Sequence, residues 1–252
     1  MFPSVAVMKI QIVIPVYNEE RKVALCVDTL DRFLTAQAAF DYDLMVADNG
    51  STDRTLEVAR DLQWRFPRLG VVHLDTKGRG RALKHAWTQA QAEVLCYMDV
   101  DLATDLAALP SLIEAVTIGR YDLAVGSRLL TDSQTTRCLT REVLSRVYNT
   151  LVKATLHTRF TDAQCGFKAL TRETAGRLLP LIEDNAWFFD TELLVWAEKL
   201  HYRICEVPVR WVENLDSRVN IRITVRDDLR GILRLHRQLA EAKEKPGEVK
   251  RQ

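Results

Sequence analysis

The sequence has no excess of either charge and no long apolar run. Among its 252 residues, 35 are Lys or Arg and 34 are Asp or Glu, so the formal net charge is +1. Such a balance gives no overall attraction to nucleic acid, and an anionic ligand must be bound by a local cluster of cations. Nowhere do about 18 apolar residues follow one another, which is the rough minimum for a membrane helix. We therefore predict a protein without nucleic-acid partners that does not cross a bilayer.

Cysteines are few and lack the spacings of disulfide scaffolds and zinc sites. The five are odd in number and lie far apart, at positions 26, 96, 138, 165 and 205. They form no Cys-x-x-Cys pair and no Cys/His zinc pattern.

No basic flank precedes the N-terminal apolar run, which ends at Glu19, Glu20 and Arg21, so it does not resemble a secretion signal. These features predict reduced thiols in a cytoplasmic protein.

Short β-branched segments alternate with helical ones in the first half of the chain. Hydrophobic residues make up 47% of the sequence, which at this length supports one large domain and excludes disordered and collagen-like chains. Runs rich in Val, Ile and Leu, which suit strands buried on both faces of a parallel sheet, occur at residues 9–17, 42–49, 70–75, 93–101 and 121–128. The alternation predicts an α/β fold with a doubly wound sheet, in which ligands bind beyond the carboxyl ends of the strands.

The second half has a different pattern, with longer helices and fewer strands. Apolar spacing predicts helices at residues 137–157, 191–200 and 224–242, in addition to one at 19–38 in the first half. Strands are predicted at residues 167–171 and 202–212. We therefore predict an α/β domain at residues 1–215, followed by a C-terminal amphipathic helical extension and tail at residues 216–252.

Two carboxylates, Asp99 and Asp101, come at the end of the predicted fourth strand. The second strand ends in Asp48, at the same predicted edge of the sheet. Carboxylate oxygens in this arrangement suit Mg²⁺ or Mn²⁺ bound together with a diphosphate, whose leaving-group charge the ion would neutralise. An isolated Asp-x-Asp is more often a solvated loop, here with a helix cap at Asp105, so the position after a strand is the informative feature.

Six segments occur in an order and spacing that resemble a known family. They are PVYNEE, ADNGSTDRT, KGRGRA, MDVDLATD, VGSR and DAQCGFKAL, at residues 15–20, 47–55, 77–82, 98–105, 125–128 and 162–170. The chain resembles the family 2 inverting glycosyltransferases and, within them, the polyprenyl-phosphate sugar synthases of the dolichyl-phosphate glucose and mannose types. The resemblance covers about residues 9–215 and implies a GT-A fold, a mixed sheet flanked by helices.

The resemblance implies a metal-dependent hexosyltransferase. Its donor would be a nucleotide sugar of the UDP-glucose or GDP-mannose class, and its acceptor a polyprenyl or dolichyl phosphate, with inversion to a β-linked product. Where the mannose type has a Gln, this chain has Ala103, which favours the glucose type, as does Asn49. An acceptor phosphate is already ionised at neutral pH, so positioning and electrostatics are expected to matter more than proton transfer.

Individual roles follow from the same resemblance. Donor contacts are expected from Pro15, Tyr17, Glu19, Asp48, Lys77, Arg81 and Asp99. Asp101, with Asp99 beside it, would bind Mg²⁺ or Mn²⁺, and the catalytic carboxylates would be Asp99, Asp101 and Asp162. Asp190 and Glu192 are further candidates to orient the sugar or the acceptor.

Acceptor contacts are expected from Arg128, Arg141, Ser145 and Gln164. Arg141 and Ser145 are four residues apart on one helix face and match the R-x-x-x-S that binds the lipid phosphate in the mannose synthases. Arg146 is equally well explained as a solvated arginine.

Arginines recur at nearly helical spacing close to the C-terminus. They are Arg218, Arg222, Arg226, Arg230, Arg234 and Arg237, beside leucine and isoleucine residues. A basic amphipathic helix of this kind can lie on an anionic leaflet, which predicts a peripheral enzyme at the cytoplasmic face of the membrane. The alternative is a helix packed on the domain with solvated arginines.

Two other functions remain open at this point. One is a family 2 transferase that acts on a soluble phosphorylated or glycan acceptor. The other is a non-catalytic nucleotide-sugar binding protein, against which the intact Asp99 and Asp101 argue.

Overall fold

The computed structural model describes residues 8–37, 40–213 and 221–244, and a seven-stranded sheet forms its centre. The strands are β1 (Lys9–Val16), β2 (Asp41–Asn49), β3 (Leu69–Leu74), β4 (Val94–Met98), β5 (Leu123–Ser127), β6 (Gln134–Thr136), β7 (Phe167–Thr171), β8 (Ile204–Pro208) and β9 (Arg210–Val212). The order in the large sheet is β3-β2-β1-β4-β7-β5-β8. In this sheet β7 alone runs antiparallel to its neighbours.

Helices cover the sheet. They are α1 (Val23–Gln37), α2 (Thr55–Leu62), α3 (Arg79–Gln89), α4 (Leu109–Thr117), α5 (Leu139–Leu156), α6 (Arg172–Leu178), α7 (Phe189–Lys199) and α8 (Ile221–Glu244), with 3₁₀ turns at Leu106–Ala108 and Leu179–Leu181. Helix α1 buries Val23, Val27, Leu30 and Leu34, the stripe that its spacing predicts. Among the helices of the described residues, none has both the length and the hydropathy that a membrane span requires.

The central strands are apolar on both faces. In β1, Ile10, Ile12, Val13 and Ile14 are almost fully buried, because parallel partners flank this strand and helices cover both of its faces. All five strands predicted in the first half are present, and the mixed α/β sheet confirms the predicted fold class.

The predicted strand at residues 202–212 is in fact two strands in two sheets. The chain changes partner around Val209: β8 pairs with β5 in the large sheet, whereas β9 pairs with β6 in a two-stranded sheet. Strand β9 also contacts the loop that follows β4, because Val212 N–H donates to Ala103 O at 2.9 Å and Asp105 N–H donates to Arg210 O at 2.9 Å. The small sheet therefore supports the loop that contains Asp101.

The parallel strands bring the predicted site residues to one edge of the sheet. Strands β1, β2, β4 and β5 run in the same direction, so the residues that follow them meet there. Strand β7 runs the opposite way and brings residues 162–166, which precede it, to the same edge.

Three parts of the sequence prediction lie outside the described residues: the boundary between residues 215 and 216, Arg218, and the tail from residue 245.

Candidate active site

The turn after β1 is fastened to the loop after β2. Asn18 has a left-handed backbone (φ 57°), and its side-chain oxygen accepts a hydrogen bond from Thr52 N–H at 2.7 Å. The N–H of Glu19 donates to Thr55 Oγ1 at 2.7 Å. Tyr17 and Glu19 therefore lie half-buried on a fixed turn at the carboxyl edge, directly after the buried Pro15.

Asp48 and Asn49 lie inside this part of the site. The Asp48 carboxylate is fully buried, accepts a hydrogen bond from the Ser51 hydroxyl, and lies 2.6 Å from His73 Nδ1. Asn49 donates to Val16 O at 2.6 Å and accepts from Gly78 N–H at 3.1 Å. Because an ionised carboxylate accepts but cannot donate, an aspartate could not make both of the bonds by which Asn49 links the end of β1 to the loop before α3.

The donor loop, residues 77–81, contains three basic side chains with different surroundings. Lys77 is exposed, and its ammonium lies 3.8 Å from the centre of the Tyr17 ring. Arg81 donates to Lys77 O at 3.1 Å within the loop. Arg79, for which the sequence predicts no role, is buried and bonds Asp99 after β4.

Arg79 connects Asp99 to a buried charge cluster. Its guanidinium donates to Asp99 Oδ1 at 2.7 Å and to Asp190. It also lies 4.8 Å from the ring centre of Tyr97 and 5.1 Å from that of Trp187. Burial alone would lower the pKa of Arg79, but the carboxylates of Asp190 and Asp99 raise it well above its ordinary value, so Arg79 stays charged.

Lys168 completes this cluster on the other side of Asp190. Its ammonium is fully buried and donates to Asp190 Oδ1 at 2.8 Å and to Cys165 O at 2.7 Å. Arg79 and Lys168 therefore balance Asp190 and Asp99, as buried charges require. A lysine inside an otherwise apolar strand, FKALT, was the sequence signal for such a partner.

Asp99 and Asp101 are accessible from the edge of the sheet. The Asp99 side chain is 43% exposed, and Asp101 is half-buried and accepts a hydrogen bond from Ala103 N–H at 3.1 Å. Burial, followed by repulsion from the Asp99 carboxylate, raises the pKa of Asp101. Gly166 faces this pair so closely that an added Cβ would lie 1.8 Å from Asp99 Oδ2. A cation between the two carboxylates would relieve their repulsion.

Asp162 is fully buried in a two-point ion pair with Arg128. Arg128 Nε and Nη2 lie 2.7 Å and 2.8 Å from the two carboxylate oxygens, and the backbone N–H of Arg128 donates to Oδ2 at 3.0 Å. Burial opposes ionisation of Asp162, but the Arg128 guanidinium outweighs it and lowers the pKa. Asp190 and Glu192 are likewise buried and paired with cations. Among these carboxylate candidates, Asp99 and Asp101 are the accessible ones.

The predicted acceptor residues lie directly after β5 (Arg128), on α5 (Arg141 and Ser145) and on the loop before β7 (Gln164). Arg141 is one-third exposed and lies 2.8 Å from Glu213, whereas Ser145, one turn further along, is buried with no partner for its hydroxyl among the described residues. Gln164 donates to Asp228 of α8 at 3.2 Å. Arg146 pairs with Glu142 on the solvent side of α5.

The architecture and these motifs agree with a family description. Residues 11–179 match "Glycosyl transferase family 2". The chain belongs to glycosyl transferase family 2. The matched range begins in β1 and ends after α6, so it contains the turn after β1, the donor loop and both aspartates after β4.

Relatives of this family 2 chain include glycosyltransferases with longer sequences. It is 41% identical over 231 residues to Glycosyltransferase AglD from Haloferax volcanii, covering 90% of this chain and 36% of that protein. It is 32% identical over 220 residues to a dolichyl-phosphate beta-glucosyltransferase from Drosophila melanogaster, covering 82% and 68% of the two chains. The chain thus spans about a third of the first and two-thirds of the second.

Solved structures with the same fold include glucosyl-3-phosphoglycerate synthase from Mycobacterium tuberculosis. Its complex with Mn²⁺, uridine-diphosphate-glucose and phosphoglyceric acid has a TM-score of 0.71 with this family 2 chain at 18% identity, covering 91% of this chain and 80% of that one. At this identity the similarity shows that the GT-A fold is shared.

Proposed function

We propose that this chain transfers a hexose from a nucleotide sugar to a polyprenyl phosphate, with inversion, to give a β-linked lipid-phosphate sugar. The observation that best supports the proposal is the accessible Asp99–Asp101 pair at the carboxyl edge of the sheet, where Asp99 bonds Arg79 of the donor loop. Relatives named dolichyl-phosphate beta-glucosyltransferase favour a glucose donor and a dolichyl phosphate acceptor. The departure at Ala103 and the amide of Asn49 agree with the glucose type.

A divalent ion, Mg²⁺ or Mn²⁺, fits the oxygen ligands that Asp101 and Asp99 offer. Within the described residues no group of three or more His, Cys, Asp and Glu side chains could form a metal site from protein ligands alone. Asp101, with Asp99 next to it, offers hard oxygen atoms, and the remaining ligands would come from the diphosphate. The ion would supply charge neutralisation for the leaving group. Burial and the Asp99 carboxylate raise the pKa of Asp101, so a cation bound beside this carboxylate would favour its ionised form.

The residues around the donor would bind and orient it. Tyr17 and Glu19 border the nucleoside position, and Lys77 extends over Tyr17 toward the diphosphate. Asp48 already bonds Ser51 and His73, so these three side chains would contribute together to binding the base or the ribose. We assign Arg81 a smaller role than the sequence predicts, because it bonds the loop itself while Arg79 reaches Asp99.

The acceptor phosphate would be bound by Arg141 and Ser145, with Arg128 deeper in the site. The phosphate oxygen would attack the anomeric carbon in line with the departing diphosphate, and an ionised phosphate needs no strong base for this step. Asp162 has both oxygens bonded to Arg128, so we assign it to holding this guanidinium and not to contact with substrate. Gln164, bonded to Asp228, would connect the acceptor side to α8.

An acceptor that is insoluble in water requires contact with a membrane surface, at the cytoplasmic face in this proposal. Helix α5 exposes Leu139, Val143, Leu144 and Val147, and α8 exposes Val225, Leu229 and Leu233. Exposed arginines on α8 border this apolar surface. Arg234 is an exception to the predicted basic face, because it turns inward to the buried Glu192. The side chain of Arg222 lies outside the described residues.

A soluble phosphorylated acceptor is the second candidate. The observation that favours it is the shared fold of a synthase crystallised with phosphoglyceric acid, since a phosphate held by Arg141 and Ser145 would serve either acceptor. A non-catalytic nucleotide-sugar binding protein is less consistent with two accessible aspartates.

One screen distinguishes these functions. UDP- and GDP-sugars are each offered with Mg²⁺ or Mn²⁺ to a polyprenyl phosphate and to small phosphorylated acceptors. We expect metal-dependent transfer of glucose from UDP-glucose to the lipid phosphate. Transfer to the soluble acceptors alone would establish the second candidate, and nucleotide-sugar binding without transfer would contradict catalysis.

A further inference from the structure

The segment at residues 183–188, here called the bridge segment, contacts the donor loop. Gly80 N–H donates to Ala186 O at 3.2 Å, and Arg81 N–H donates to Asn185 O at 3.1 Å. A Cβ on Gly78 would lie 2.5 Å from Asn185 O, so the two backbones touch without room for a side chain. The position of the donor loop therefore depends on the position of the bridge segment.

The bridge segment is held from within by Glu192 of α7. This carboxylate is fully buried and accepts the backbone N–H groups of Glu183 at 3.1 Å and Asp184 at 3.0 Å. The Asp184 carboxylate in turn accepts from Ala186 N–H at 2.7 Å and from Phe189 N–H at 3.1 Å. The start of the bridge segment is thus fixed by a buried negative charge.

Helix α8 supplies the paired cation. Arg234 donates to both Glu192 oxygens, at 2.9 Å and 2.7 Å, and to Glu183 at 3.1 Å. The hydrogen bond to Glu192 is the main reason that the pKa of Arg234 is raised, although burial opposes this. Gly231 packs closely against Phe188: a Cβ added at Gly231 would lie 2.5 Å from that ring. Helix α8 therefore contacts the bridge segment at both of its ends.

A second contact connects the bridge segment to the aspartates. Trp187 is 47% exposed, and its ring centre lies 5.1 Å from the guanidinium of Arg79, which bonds Asp99. A shift of the bridge segment would move the donor loop and the environment of Asp99 together.

We infer that Arg234 is a positioning residue of the donor site. Its ion pair with Glu192 fixes the bridge segment, which in turn fixes the donor loop, so that the C-terminal helix takes part in binding the nucleotide sugar. The inference rests on the proposed function where it identifies the ligand of the donor loop as a nucleoside diphosphate. Coupling between two regions is reciprocal, so a bound nucleotide should also stabilise the docking of α8.

The first test uses hydrogen exchange and needs no ligand. In Arg234→Gln we expect the amides of residues 78–82 to exchange faster. The reason is that the bridge segment, whose carbonyl groups accept hydrogen bonds from Gly80 and Arg81, is no longer fixed by the ion pair. Arg177→Gln is the matched control, since it removes an exposed arginine–glutamate pair on α6. Arg234→Lys, which keeps a cation, should have an intermediate effect. Unchanged exchange at residues 78–82, or an equal increase throughout the chain, would overturn the inference.

The second test measures the binding of UDP and GDP by calorimetry. We expect Arg234→Gln to weaken the binding of the preferred nucleotide about tenfold, a typical size for coupling between sites, while Arg177→Gln binds as the wild type does. Equal nucleotide affinity in a folded Arg234→Gln would overturn the inference. A wild-type protein that binds neither nucleotide would instead contradict the proposed function, and the exchange experiment would still decide whether Arg234 fixes the donor loop.

Discussion

Asp99 and Asp101 differ in their surroundings although a single residue separates them. Asp99 is neutralised by Arg79, whose position is fixed by Asp190, while Asp101 meets no cation within hydrogen-bond distance in the described structure. Burial and the charge on Asp99 raise the pKa of Asp101, so ionising Asp101 carries a cost in this structure. A divalent ion bound beside Asp101 would offset this cost, which is why we expect Asp101 to be the more important metal ligand.

The first prediction concerns Asp101→Ala. We expect a folded protein that loses transfer activity by about a hundredfold or more, because losing a direct metal ligand removes several kcal/mol of transition-state stabilisation. Asp105→Asn is the control, since Asp105 lies in the same loop and accepts a hydrogen bond from Ala107 N–H. Transfer rates with Mg²⁺ titrated, together with melting temperatures, check the result. Near-normal turnover that still requires metal would refute the role of Asp101.

Sequence patterns could predict the aspartates but not the arginine beside them. Asp99 and Asp101 follow a recognisable apolar strand, so their place at the sheet edge follows from chain direction alone. Lys77, Arg79 and Arg81 are equivalent as a pattern. Which of them turns inward depends on where α3 begins and on the close packing of Gly78 and Gly80 against residues distant in sequence. That packing is a tertiary property, and local spacing does not contain it.

At the scale of elements, α5 combines exposed apolar side chains with an inner side that buries two polar residues as well as Val152 and Leu156. Ser145 and Asn149 are buried on the inner side, and Asn149 accepts from Ala163 N–H at 2.8 Å in the loop that precedes β7. The Ser145 hydroxyl has no partner among the described residues. Such a buried hydroxyl is costly unless a ligand or water satisfies it, and this supports a phosphate position near Arg141.

The second prediction follows from this helix. Arg141→Gln should raise the KM for the acceptor about tenfold or more, because a charge-assisted hydrogen bond to phosphate is worth about 1.5–3 kcal/mol. The affinity for the nucleotide should hardly change. Arg146→Gln, one turn away and paired with Glu142 on the solvent side, is the control. Steady-state kinetics with each substrate varied in turn measure the effect, and an equal loss of nucleotide affinity would place Arg141 on the donor side.

Helix α8 gives the third prediction, which concerns pH. Burial, with smaller contributions from the Asp184 and Asp227 carboxylates, raises the pKa of Asp228 to about 7, and the Gln164 amide that bonds it opposes the rise. The Tyr148 side chain of α5 faces the same carboxylate. A raised pKa means that the folded protein prefers the protonated acid. The contribution of Asp228 to stability is thus greatest below its unfolded value near 3.8 and is lost as the pH rises through about 7.

Asp228→Asn should therefore stabilise the protein at pH 8 and have little effect at pH 4. The gain at pH 8 is expected to be on the order of 1–4 kcal/mol, because the variant no longer ionises a buried group. The amide oxygen can still accept the hydrogen bond from Gln164. Denaturant unfolding of both proteins at several pH values measures the difference. A stability difference that is the same at pH 4 and pH 8 would show that Asp228 does not titrate in this range.

The sequence could predict those strands and helices that form because of a local pattern of apolar residues. Long Val, Ile and Leu runs predicted β1 to β5, and apolar periodicity predicted α1, α5, α7 and α8 to within a few residues. Strand β6 has three residues and is largely exposed, and it forms because β9 lies beside it. No local pattern predicts a strand of this kind, and the exchange of partners at Val209 was missed for the same reason.

At the scale of the whole molecule, the net charge of +1 conceals an uneven surface. Arg226, Arg230 and Arg237 are exposed on α8 beside Val225, Leu229 and Leu233, while Arg234 is taken up by Glu192. Asp227 lies 3.2 Å from Arg226 and 3.7 Å from Arg230 and offsets part of their charge. The basic face is therefore weaker than a count of arginines indicates, and we expect apolar contacts to contribute to the proposed membrane attachment.

The last prediction tests membrane attachment with vesicles of neutral or anionic lipid. Each basic side chain near an anionic surface is worth about 1 kcal/mol at low salt, and the attraction falls away within a Debye length. Changing Arg226, Arg230 and Arg237 to Gln, with Arg234 retained, should reduce sedimentation with anionic vesicles and abolish its dependence on salt.

A separate pair of changes, Val143→Ser and Val147→Ser, should weaken binding at every salt concentration, because these side chains are exposed on α5 and would enter the apolar boundary. Salt-insensitive binding that only the α5 pair reduces would place the attachment on α5 alone. Full activity on a lipid acceptor without any vesicle binding would contradict peripheral attachment.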